Sequence, residues 1–153
     1  FFEGVEMIAL KPVDESSYQA VLDLTVAPED QGFVAPNVRS LADAWLYREN
    51  GDVFPYAVWA GQQVVGFVLI DIDEDIQQYM VWRMMIGKEF QGRGYGQALL
   101  EAVIELARAH PSCNHLIASY VKDNQKMARL LEKNGFVLDS EEERELVFRL
   151  ETP

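Results

Sequence analysis

Apolar and polar positions change period along the chain, and the changes mark strands and helices. Residues 7–13 alternate weakly and predict a strand. Tyr18, Val21, Leu22 and Thr25 recur at helical spacing, predicting a helix over 15–25 with Asp14 as its N-cap. Residues 26–39 hold Pro28, Gly32, Pro36 and Asn37 and read as turns. Ser40 is then the expected cap of a short helix over 41–48. Three apolar runs follow, at 56–60, 64–72 and 78–86, separated by Gly61-Gln62 and by an acidic tip of Asp71, Asp73, Glu74 and Asp75. They predict an antiparallel meander.

Leu99, Leu100, Val103, Ile104 and Ala107 then predict an amphipathic helix over 94–110, closed by Pro111. A buried strand at 116–121 comes next, followed by a helix over 124–134 that Gly135 stops. Strands at 136–138 and 146–150, around an acidic turn at 139–143, complete the order β-α-α-β-β-β-α-β-α-β-β. One α/β (mixed α+β) domain over 7–153 is expected, with helices on the faces of a mixed sheet. The runs 78–86 and 116–121, joined through a helix, should be parallel neighbours by a right-handed crossover. Residues 1–6 are read as an appended remnant outside this domain.

Composition narrows the function. Apolar residues make up 49% and charged residues 25%, as in soluble domains. No apolar run approaches the roughly 20 residues of a membrane span, and no signal-peptide pattern is present, so a cytoplasmic protein with no membrane partner is expected. The lone Cys113 excludes an internal disulfide and a multi-cysteine metal site, and no metal is expected. A net charge of −12 argues against nucleic acid and suits a small cationic substrate.

The chemistry centres on Gln91-Gly92-Arg93-Gly94-Tyr95-Gly96, between a strand and the long helix. Alternate glycines let the backbone bend and approach a ligand with no Cβ in the way. The first-turn amides, Gln97 included, lack helical partners and lie at the positive end of the helix dipole, so a phosphate or diphosphate satisfies them. A dinucleotide fingerprint would need glycine where Gln97 stands, and no Gly-Lys-Ser/Thr phosphate loop exists in the chain.

This turn, the preceding Met84-Met85-Ile86 and the later Asn124 and Gly135-Phe136 resemble the core of the GNAT superfamily of N-acetyltransferases. Phe33-Val34-Ala35-Pro36-Asn37 with Ser40-Leu41-Ala42 further resembles its polyamine or diamine branch. The resemblance implies a mostly antiparallel sheet of about six or seven strands, splayed between its fourth and fifth strands, with about four helices. It also implies acetyl-CoA as co-substrate and direct attack of a primary amine, with a homodimer possible by analogy. Met84, Met85 and Ile86 would offer backbone groups to the pantetheine arm, with Met85 or Ile86 as oxyanion donor. Residues 91–97 would hold the diphosphate, and Asn124 would bond the cofactor or simply cap its helix. Many family members place an acidic tyrosine where this chain has Leu131, which leaves Tyr120 as the substitute acid. The general base is unassigned. Asp71 and Asp73 share a strand face, and Glu29 and Asp30 sit in the Pro/Gly-rich loop; these four carboxylates are the candidates for holding substrate. Other acceptors (an aminoglycoside, an amino acid or a protein amine) and a non-catalytic acyl-CoA sensor stay open as alternatives.

Overall fold

The computed structural model describes residues 7–153; the remnant expected over 1–6 lies outside the described residues. The strands are β1 (Ile8–Pro12), β2 (Val53–Ala60), β3 (Gln63–Asp73), β4 (Gln78–Ile86), β5 (His115–Val121), β6 (Val137–Glu141) and β7 (Glu145–Glu151). The helices are α1 (Tyr18–Asp23), α2 (Asn37–Leu46), α3 (Tyr95–Ala109) and α4 (Gln125–Lys133). The seven strands form one sheet in the order β1-β2-β3-β4-β5-β7-β6. Every neighbouring pair is antiparallel except β4 and β5, the pair joined through α3.

β3 is the centre of the core. Its residues Val64 to Ile70 are all buried, so helices must cover both faces of the sheet. On one face, α1 and α2 are locked to each other and to β4: Asn37 Nδ2 donates to Val21 O at 2.9 Å and meets Met85 Sδ at 3.6 Å. α3 packs across β1, β4 and β5 and covers the other face with Leu99, Leu100 and Val103 fully buried.

Two helix starts differ from the sequence reading. Asp14 does not cap α1; its carboxylate accepts from Ser16 N at 2.9 Å and Ser16 Oγ at 2.6 Å, closing a local turn that delays the helix to Tyr18. α2 begins at Asn37 behind Pro36, not at Leu41, because proline's fixed φ (here −58°) leads readily into a first helical turn. Ser40 therefore lies inside the helix and is fully buried. β6 also reaches Glu141, which shortens the acidic turn.

Candidate active site

β4 and β5 pair only from Gln78–His115 to Val81–Ala118, then part. The cause lies in β4. Opposite β3, Ile70 faces Val81 and Leu69 faces Arg83, so Trp82 is an extra residue. Such a bulge bends its strand and strengthens the local twist. A cavity of about 870 Å³ opens between the separated strands, walled also by the loop before α2 and by the starts of α3 and α4.

Backbone groups of β4 line the gap selectively. Gly87 N donates to Val65 O of β3 at 2.9 Å. Strand alternation then turns the amide groups of Met85 toward β3 and those of Met84 and Ile86 toward the gap. Of the two expected oxyanion donors, Met85 is thus committed to the sheet. Ile86 O accepts from Gln91 Nε2 at 2.9 Å, which ties the glycine turn to the end of β4.

The turn itself has φ of 76° at Gly92 and 86° at Gly94, left-handed values that glycine adopts without strain. Among the described residues no group accepts from the amides of Gly92 to Gln97; the first bond of α3 is Ala98 N to Gly94 O, at 3.1 Å. A Cβ on Gly92 would meet nothing within 4 Å, and one on Gly96 only Leu130 Cδ2 at 4.0 Å. Six amide donors are therefore left without a protein acceptor at a helix N-terminus. Gln91, Gly92, Gly94, Tyr95 and Gly96 line the cavity. The side chains of Arg93 and Gln97 do not: Arg93 Nη2 donates to Glu89 O at 3.3 Å, and Gln97 pairs with Asn134 on α4.

Asn124 lines the cavity from the opposite wall while capping α4, its Oδ1 accepting from Met127 N at 3.2 Å. That cap leaves Nδ2 available. Leu131 is fully buried in the core, whereas Tyr120 lines the cavity with its ring packed on Phe148 at 5.5 Å. Burial, and secondarily the Glu132 carboxylate, push the Tyr120 phenol above its ordinary value, so it is protonated at neutral pH.

The proposed substrate carboxylates divide. Asp30 lines the cavity and accepts from Lys126 Nζ at 3.5 Å. Glu29 is outside the cavity wall. Asp71 and Asp73 do not line the cavity: β3 sets them against Met80 and Gln78, at the end of the sheet where β4 and β5 are still paired. The structure adds residues that the sequence did not mark. Arg83 Nη1 donates to Asp43 Oδ2 at 2.7 Å and to Ser40 Oγ at 3.2 Å, and Glu145 lines the cavity from β7. Asp43 belongs to a helix whose start was misplaced, and Glu145 is hidden in an acidic run until β7 pairs with β5.

An open slot edged by unpaired backbone donors at a helix N-terminus can take an extended, diphosphate-bearing ligand. The sequence pattern of the acetyltransferase (GNAT) family matches residues 18–136. The chain belongs to the GNAT acetyltransferase family. It is an acyltransferase that uses acetyl-CoA. A spermine/spermidine N(1)-acetyltransferase of Bacillus subtilis (strain 168) is 27% identical over 140 residues, covering 88% of this chain and 90% of that one. Spermidine N-acetyltransferase from Vibrio cholerae, solved with CoA and spermine, superposes with a TM-score of 0.74 at 14% identity, covering 94% of this chain and 93% of that one. A ribosomal L7/L12 alpha-N-protein acetyltransferase in complex with coenzyme A gives a TM-score of 0.74 at 15% identity, covering 95% and 94%. These GNAT relatives thus share the fold across different acceptors. Among the described residues no group of His, Cys, Asp or Glu could hold a metal, and no helix is long and apolar enough to cross a membrane.

Proposed function

We propose that this GNAT enzyme acetylates one primary nitrogen of a polyamine or diamine. The observation that carries the transfer chemistry is the row of unpaired amides at Gly92 to Gln97, set at one end of the β4/β5 gap. Acetyl-CoA supplies an activated acetyl thioester. The amides of the turn hold its diphosphate, and the gap-facing groups of Met84 and Ile86 align the pantetheine arm as a strand would be aligned. Ile86 N–H is the donor placed for negative charge developing on the thioester oxygen. Tyr120 carries the proton for the departing sulfur, and Asn124 Nδ2 steadies the arm from α4. The acceptor enters beside the loop before α2, where Asp30 and Arg83 stand.

Support for the acceptor comes from the named Bacillus relative and from the net charge of −12, which concentrates cations around the molecule. Thiol release from acetyl-CoA, followed across spermidine, spermine, putrescine, an aminoglycoside, free amino acids and a peptide N-terminus, tests it. Turnover is expected to be greatest with the polyamines or the diamine. Background rates with all of them, beside clear turnover of another amine, would transfer the assignment to that amine. A second reading, a sensor that binds acetyl-CoA without turnover, is favoured by Leu131, a core side chain at the position where the family resemblance implies a tyrosine in many members. Calorimetric binding with no thiol release from any amine would establish it. The cytoplasmic location and the homodimer belong to the same proposal, and sedimentation of the purified enzyme checks the latter.

A further inference from the structure

Glu145 opens β7 directly across from Val121, half-buried and in the cavity wall. Strand alternation puts its side chain on the sheet face of Val121, Ser119 and Ile117, opposite to the face of Ala118 and Tyr120. Met80 shares the Ile117 face by pairing. The extra residue at Trp82 then returns Arg83 to that same face. Glu145 and Arg83 thus stand on opposite lips of the gap, on the side covered by α1, α2 and the loop between them.

Four charged side chains line the cavity: Asp30, Arg83, Lys126 and Glu145. Both cations are engaged. Arg83 is held by Asp43 at 2.7 Å, with the two side chains only 15% and 13% exposed. Lys126 reaches Asp30 at 3.5 Å. Opening the first pair would strand a charge in a poorly hydrated place, so it stays closed. Each pair consumes one carboxylate, and the side-chain carboxylate of Glu145 has no hydrogen-bond or ion-pair partner among the described residues, although its backbone carbonyl accepts from Glu142 N at 2.8 Å. The cavity therefore offers one uncompensated negative charge, displaced from the backbone donors of β4.

We infer that Glu145 is the acceptor's second anchor. It is the carboxylate against which a distal ammonium rests while the reacting nitrogen reaches into the β4/β5 gap. This rests on the diamine or polyamine reading above and gives it a residue. No bond is made or broken at Glu145; it selects the acceptor by charge and by the distance between the two nitrogens.

The test is kcat/KM on putrescine and spermidine against butylamine, which lacks the distal cation, for the native enzyme, Glu145→Gln and Glu145→Lys. Glu145→Gln should lower kcat/KM on the diamine about 10- to 100-fold, the loss of one charge-assisted hydrogen bond. Butylamine turnover and acetyl-CoA affinity should change far less than diamine turnover, because neither butylamine nor acetyl-CoA presents a distal cation to Glu145. Glu145→Lys should turn the preference toward an amine with a distal carboxylate, such as γ-aminobutyrate. Equal losses on diamine and monoamine, or none on either, overturn the inference. A native enzyme inactive on every diamine overturns the acceptor reading itself, whereas diamine turnover indifferent to Glu145 overturns this assignment alone. Should Glu145→Gln fail to fold, Glu145→Asp retracts the charge by one methylene and must shift preference to a longer diamine, cadaverine; an unchanged preference is again a refutation.

Discussion

At the scale of single residues, Tyr120 has the most exposed role. Its raised phenol stays protonated until the pH passes above its ordinary range, so a rate that uses its proton should fall only on the far alkaline side. Tyr120→Phe should lower kcat about 100-fold with little change in acetyl-CoA KM, and should abolish that alkaline limb. An unaltered pH–rate profile would assign the proton elsewhere. Asp71, which does not line the cavity, illustrates the opposite case, a carboxylate that folding holds at a cost. Burial first, then the Asp52 and Asp73 charges, raise its carboxyl above the ordinary value. Its ionised form is thus disfavoured by folding. The penalty is absent below the unfolded-state value and is fully present once the pH exceeds the folded one. Asp71→Asn should stabilise the fold at neutral pH by about 0.5 kcal/mol, since solvent screens a partly exposed group. The gain should vanish in thermal melts below about pH 4.

At the scale of elements, the first turn of α3 is held to the end of α4 by a reciprocal amide pair. Gln97 Nε2 donates to Asn134 Oδ1 at 2.7 Å, and Asn134 Nδ2 returns a bond to Gln97 Oε1 at 2.9 Å. The pair fixes the spacing of two walls of the cavity. Gln97→Ala and Asn134→Ala should each raise acetyl-CoA KM severalfold while kcat holds, and the double variant should lose little more than either alone. Additive losses would mean the amides act separately. This contact shows why part of the site was unreadable in sequence. The glycine turn, the periodic helix α3 and the strands of the meander were legible because each is a local pattern. Gln97–Asn134, Arg83–Asp43 and Glu145 are meetings between distant segments. Neither member of such a pair carries a local signal. The bulge at Trp82 was equally silent, because an extra residue in one strand is visible only against the register of its neighbour. The start of α2 differs for a local reason: Ser40 is a favoured cap residue in isolation, whereas the actual N-cap, Pro36, makes no side-chain capping bond.

At the scale of the molecule, a net charge of −12 surrounds a cavity whose lining charges nearly cancel. The long-range field gathers cations, and the lining decides which of them bind. Raising ionic strength should therefore raise KM for putrescine, because screening weakens the field beyond a Debye length of about 10 Å at 0.1 M salt. A KM independent of salt would confine recognition to contact distance.

The surplus residue in β4 has a wider consequence. Excising Trp82 alone would let Arg83, opposite Leu69, follow directly on Val81, opposite Ile70, and allow β4 and β5 to zip along their full length. The outcome would be a sealed seven-stranded sheet, better bonded than the native one and with nowhere to lay a thioester. Here an imperfection one amino acid long separates an inert scaffold from a catalyst.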